Sequence, residues 1–230
     1  VVMSPATEFD SSGQPVLFVK DVPPTGKIPV DQPRIYYGEH TNDFVVANSL
    51  EPEFDRPASD TENNQPIFID GYQGKGGVKL SSIFRRLAYA VEFGDLNVLI
   101  SSRITNESKI LYHRNISERV AKVAPFLRLD KDPYMVVADG KLYWIQDAYT
   151  VTDRFPYSKR LDNRDFNYIR NSVKVVVDAF NGSMTFYTFE RQRQDPRIGM
   201  YRQIFPGLFT PESHMPPTLR EHIRYPETML

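Results

Sequence analysis

Between residues 133 and 190 four strand-like runs follow one another: PYMVVAD (133–139), KLYWIQDAYT (141–150), YIRNSVKVVVDAF (168–180) and SMTFYTFE (183–190). No other feature limits the fold so strongly. Asp139-Gly140 joins the first two runs and Asn181-Gly182 joins the last two. Both dipeptides tolerate positive φ, so two-residue hairpin turns are expected. The outcome is an antiparallel meander, and such a sheet requires helices or other chain to cover at least one face.

Two amphipathic helices precede the meander. In SIFRRLAYAVEFG (82–94), Phe84, Leu87, Ala88 and Val91 share one face at helical spacing, with Ser81 or Ser82 to cap the start and Gly94 to end it. That face is expected to point into the core. In NISERVAKVAPFL (115–127), Ile116, Val120, Val123 and Ala124 are expected inward. The fold class is therefore α+β, with antiparallel sheet meanders covered by amphipathic helices. The element order of the second half is analogous to cystatin-like and peptidase-propeptide domains, an analogy that suggests peptide binding or inhibition without assigning it.

Further strands are expected at VLFVK (16–20), RIYYGE (34–39), DFVVANS (43–49), PIFID (66–70), NVLISSRI (97–104) and SKILYHR (108–114). A short helix is expected over 195–206, opening at Asp195-Pro196. Residues 51–66 read as an acidic loop and 152–167 as an exposed excursion rich in charges and aromatics. The expected layout is an extended arm over 1–31 and one α+β domain over 32–230, with sub-units 32–107 and 108–206 and a proline-rich tail at 207–230.

Composition narrows function mostly by exclusion. Lys and Arg total 28 against 29 acidic residues, so net charge gives no reason to expect nucleic acid as a partner. With no cysteine, disulfides, thiolate metal sites and a cysteine nucleophile are excluded. His40, His113, His214 and His222 lack metal-ligand spacing, and no cofactor is implied. The sequence has no GxSxG motif, and Asp162 with Asp165 is a carboxylate pair without a stated geometry. Tyr134, Tyr143, Trp144, Tyr149, Phe155, Tyr157, Phe166 and Tyr168 are expected chiefly as core packing. No apolar run is long enough to span a bilayer, and a chain opening at Val1 is expected to be a fragment of a longer protein.

The glycine-rich stretch IDGYQGKGGVKLSS (69–82) invites a phosphate-loop reading, which its spacing refuses. Ile69 stands where the first glycine of a P-loop belongs, Gly76 where its Ser or Thr belongs, and Lys79 where a dinucleotide loop needs its third glycine. What survives is a weaker anion site of Lys75, Lys79, Arg85 and Arg86 near the start of a helix. Solvated basic residues on a glycine connection are the plainer alternative.

Three long stretches carry a family resemblance: GKGGVKLSSIFRRLAYAVEFGDLNVLISSRI; ILYHRNISERVAKVAPFLRLDKDPYMVVADGKLYWIQDAYTVTDRFPYS; and NYIRNSVKVVVDAFNGSMTFYTFE with the FPGLF and MPPTLREHIRYPE tail. They resemble the bacterial Uncharacterised Protein Family 0182. The resemblance implies a large integral membrane protein with a long region outside the bilayer, and no reaction or catalytic residue. It makes this chain an expected extracytoplasmic binding or interaction domain, with the rest of a parent membrane protein, an envelope protein, a peptide or a glycan as partner. The competing expectation is an envelope hydrolase or phospholigand enzyme that holds its anion on the four basic residues named above.

Overall fold

The computed structural model describes residues 9, 11, 13, 19–20, 23–57, 65–69, 71–160, 165–189 and 195–229. Val16 to Phe18, Asp70, Asp162, Arg164 and Glu190, all parts of expected elements or sites, lie outside them. The fold is α+β, and the chain divides into two compact units: residues 1–27 with 42–113, and residues 28–41 with 114–230. The boundary after His113 lies beyond the 107/108 division suggested by the sequence, and residues 28–41 belong to the second unit.

The first unit contains small sheets and one substantial helix. Strand β1 (Val19–Lys20) pairs antiparallel with β2 (Thr25–Gly26). Strand β3 (Val45–Ala47) joins a three-stranded sheet completed later in the chain, while β4 (Glu53–Arg56) pairs with β5 (Ile67–Ile69). Part of the expected acidic loop is thus a strand, because Phe54 finds a cross-strand partner in Phe68 with ring centroids 6.2 Å apart. After β6 (Val78–Lys79) comes α1 (Ile83–Phe93), capped by the Ser82 side chain at its start and ended by left-handed Gly94.

Residues 97–104 depart from the expected strand. They begin with α2 (Asn97–Ile100), where the Asp95 carboxylate accepts the Asn97 N–H at 2.9 Å and turns the chain immediately after α1. Strand β7 (Lys109–Leu111) then lies between β3 and β6. The core of this unit gathers Leu80, Ala90, Val98, Ile104 and Ile110, with Phe44 stacked on Phe93 at 4.5 Å.

The second unit holds the meander. After α3 (Ile116–Val123) and β8 (Arg128–Leu129) come β9 (Tyr134–Ala138), β10 (Lys141–Thr152), β11 (Tyr168–Asp178) and β12 (Met184–Thr188), then α4 (Pro196–Ile204), β13 (Phe209–Pro211) and α5 (Pro217–Arg220). The sheet order is β13-β12-β11-β10-β8, with β9 also paired to β10. All pairs are antiparallel except β12 with β13. RIYYGE forms no ladder strand. Instead Tyr36 and Tyr37 both donate their N–H to Ala179 O at 2.9 Å, and Gly38 bridges Asn115.

Residues 172–179 are buried without interruption, so β11 is covered on both faces. One face packs Ile145 and Val176 with Tyr134, Tyr187, Met215 and Leu219. The tail therefore builds core rather than merely crossing the surface. Helix α3 lies against β10, where Ser117 Oγ donates to Gln146 Oε1 at 3.1 Å. Of its expected inward residues, Ile116, Val120 and Ala124 are fully buried, whereas Val123 is exposed near the last turn.

The two turn dipeptides behave differently. Asp139 and Gly140 both take positive φ, 50° and 71°, and Lys141 pairs directly with Ala138, as a two-residue turn requires. Asn181-Gly182 sits in a longer loop because the Asp178 carboxylate accepts the N–H groups of Phe180 and Asn181 at 2.9 and 2.8 Å. Gly182 has φ 69°, and a Cβ there would lie 2.5 Å from the Tyr37 ring. The Arg119 guanidinium lies 4.6 Å from the centroid of that ring, and its Nε donates to Gly182 O at 2.8 Å. Gly182→Ala is expected to destabilise the chain by about 1–3 kcal/mol. Urea unfolding followed by circular dichroism measures this, and an unchanged midpoint would contradict the close seat of Tyr37.

Candidate functional site

The glycine-rich connection wraps around an aromatic ring. Tyr72 is buried, its hydroxyl accepts the Gly76 N–H at 2.9 Å, and a Cβ on Gly74 would stand 2.2 Å from its ring carbon. Lys109 lies 5.4 Å from the ring centroid and donates to Gly74 O at 2.8 Å. Glycine at position 74 thus serves close approach of backbone and ring.

The basic residues expected at this connection are engaged with the chain itself. Lys79 pairs with Glu107 at 2.7 Å in an exposed ion pair. Arg85 donates to Lys79 O at 3.2 Å and to Ser81 Oγ at 3.4 Å, while Arg86 donates to Leu80 O at 3.3 Å and Asn106 Oδ1 at 3.5 Å. Lys75 is exposed within the loop. The guanidiniums therefore satisfy carbonyls where β6 runs into α1, a local structural task.

The unexpected surface is α1 itself. The residues expected inward are outside: Phe84 is 79% exposed, Val91 74% and Leu87 47%, with Ile83 at 59% on the same stripe and Ala88 also exposed. Inward instead are Ala90, fully buried, and the rings of Tyr89 and Phe93, which contact one another and Tyr112. The helix has two apolar faces, and the aromatic one buries the larger area. Periodicity marks both faces without ranking them; only the Tyr89/Phe93 spacing of four residues hints at the aromatic face. Leu96 (68%), just before the neighbouring α2, and Ile100 (72%) at its end are also exposed. Such a surface marks an interaction site more often than a solvent face.

Three buried carboxylates in the second unit are already saturated. Asp195 caps α4 through the Arg197 N–H at 3.0 Å and also accepts from Tyr168 Oη at 2.8 Å and from Thr150 and Ser172. Burial opposes its ionisation, but these donors outweigh burial and hold the carboxyl below the ordinary carboxylate range. Burial and the bond to Asp195 push the Tyr168 phenol up to about 12. Asp130 accepts from Tyr149 and from the Thr228, Lys131 and Asp132 N–H groups; burial raises its pKa, and the bonds again win and lower it. Asp147 holds Lys174 and Asn171. Each carboxylate is tied into packing, with its lone pairs accepting from the fold. Among the described residues no cluster of three or more metal-ligating side chains exists.

The fold and surface together define an α+β module with a bare apolar helix. The chain belongs to the Uncharacterised protein family (UPF0182), which matches residues 1–230. It is 48% identical over 228 residues to a UPF0182 protein of Pelotomaculum thermopropionicum, covering 98% of this chain and 24% of that protein. A UPF0182 protein of Sulfurovum sp. is 50% identical over 233 residues, covering 98% and 25% respectively. The chain thus spans about a quarter of the length of the curated relatives it matches. No solved structure matches it. Among the described residues no helix is long and apolar enough to cross a membrane.

The pH dependence of stability follows from Asp195. Its folded pKa is depressed, so its stabilising contribution is present above the unfolded carboxylate pKa of about 3.9 and is lost as pH falls through the lower folded value. Asp195→Asn is expected to lower stability at neutral pH and to flatten the acid limb of the stability curve. Equal acid slopes for the two proteins in urea titrations would contradict this account.

Proposed function

We propose that this chain is a non-catalytic interaction domain of a longer bacterial membrane protein, displayed outside the cytoplasm, and that it docks on the rest of that polypeptide through α1. The uncovered stripe of Ile83, Phe84, Leu87 and Val91 carries this reading. Burying a side chain of this kind yields about 1.5–3 kcal/mol, so a contact across the stripe is worth forming. The chain covers only about a quarter of the relatives it matches, which leaves ample polypeptide to supply the opposing surface. The membrane setting and the outward orientation rest on the family resemblance.

The enzyme alternative requires Lys75, Lys79, Arg85 and Arg86 to hold an anion beside a reacting group. Lys79 is paired with Glu107, and Arg85 and Arg86 donate to carbonyls of the β6–α1 connection, which favours the interaction reading.

Membranes containing the parent protein without this region are expected to retain the added chain. Changing Phe84 and Val91 together to Ser is expected to reduce co-sedimentation about tenfold or more, because hydrophobic anchors dominate such contacts. Thermal stability should hardly change, since both residues face solvent. Equal retention of the double variant would sink the proposal.

A further inference from the structure

A second surface, independent of α1, lies in the second unit where the tail crosses β11. It is an open cleft of about 630 Å³. Arg170, Lys174, Arg220 and Arg224 line it, and among the described lining residues there is no carboxylate. Its apolar lining includes Phe189, Ile223, Tyr225 and Met229.

The cleft lies beside an irregularity in the strand ladder. Arg170 pairs with Thr150 and Val173 with Ala148, so Asn171 and Ser172 together oppose the single residue Tyr149. A bulge of this kind re-aims side chains locally, and both Asn171 and Ser172 reach the cleft wall. Ser172 is fixed from behind by Asp195, and Asn171 by Asp147.

The cations differ in how they are held. Lys174 is buried, with its ammonium on Asp147 and on Arg224 O at 3.1 Å, so it anchors the tail to the strand. Arg220 pairs with Glu212 at 2.5 Å. The Arg224 guanidinium lies over the Tyr134 ring, 4.6 Å from its centroid, and the Arg224 N–H donates to the Tyr134 hydroxyl at 3.2 Å. Stacking on a ring orients a guanidinium while leaving its edge donors available to an anion. A cleft lined by both cations and aliphatic and aromatic groups suits a ligand that carries an anionic group and an apolar portion.

We infer that this cleft binds a phosphate-bearing amphiphile, with the phosphate on Arg170 and Arg224 and the apolar portion against Phe189, Ile223 and Met229. The phosphate is the shared chemistry of a lipid headgroup and a soluble aryl phosphate, and the length of the apolar portion distinguishes the two. Recognition here is binding alone; no bond is made or broken.

Isothermal titration of the chain with inorganic phosphate, phenyl phosphate and dihexanoyl phosphatidic acid tests the inference. Phenyl phosphate or the lipid is expected to bind more tightly than inorganic phosphate, and the tighter of the two names the source. Arg170→Gln and Arg224→Gln are each expected to weaken binding about tenfold or more, whereas Arg170→Lys retains more affinity than Arg170→Gln. Because Arg224 also packs on Tyr134, its variant is read alongside Met229→Ser, which leaves all four cations in place and is expected to weaken the apolar probes without affecting inorganic phosphate. No binding of any probe overturns the inference. So does binding that is indifferent to both arginine substitutions, or equal affinity for inorganic and organic phosphates. The Phe84 and Val91 substitutions are expected to leave these titrations unchanged, so the cleft and the α1 surface stand or fall separately.

Discussion

A strand buried on both faces has to be covered twice, and the second unit is organised around that constraint. The valine-rich run in β11 pairs with β10 on one edge and β12 on the other, so its backbone groups are satisfied within the sheet. Its side chains then need two covers. Met215 and Leu219 of the tail serve the face that holds Val176, and α3 lies against neighbouring β10. The buried Lys174–Asp147 pair and the carboxylates of Asp130 and Asp195 tie these covers to the sheet. Such pairs do less for net stability than apolar contacts do, but removing one partner leaves a buried charge exposed to a poor environment. They therefore fix where the tail and α4 sit, while the valines and their neighbours provide the driving force.

Much of this unit was legible in the sequence, since long alternating or continuous apolar runs between turn dipeptides have few other solutions. The Asp139-Gly140 turn came out as expected, both residues taking the positive φ that a two-residue turn needs. Asn181-Gly182 did not, because Asp178 captures two N–H groups and lengthens the loop. The cleft was less visible: Arg170 and Lys174 interrupt an otherwise apolar strand, and Arg220 and Arg224 lie four apart, but only the fold brings these pairs together. In the first unit, NVLISSRI has the composition of a strand yet begins as a helix under the local hold of Asp95. In the second unit RIYYGE likewise has strand character, but its Tyr36 and Tyr37 give their N–H groups to Ala179 O in a loop contact. The apolar period of α1 correctly announced a helix and misassigned its inner face, because both faces are apolar and sequence period carries no information on which neighbour arrives. The glycine-rich stretch departs from nucleotide-loop spacing, and the close approach of the Tyr72 ring supplies the reason for Gly74.

The helix that looks outward is the feature on which the functional account turns. A chain that packs its sheet on both sides in one unit while leaving Ile83, Phe84, Leu87 and Val91 bare in the other has a complete core and an incomplete surface. The absence of cysteine from the sequence allows that surface to be examined cleanly by single-cysteine labelling. Val91 and Tyr157 are both well exposed in this chain. With a membrane-impermeant maleimide, Val91→Cys and Tyr157→Cys are expected to react at similar rates in the isolated chain. In the longer parent protein on intact cells, Tyr157→Cys should still react while Val91→Cys is shielded. Undiminished labelling at Val91→Cys in the parent would contradict docking through α1, and failure of both positions to react from outside would contradict the extracytoplasmic placement.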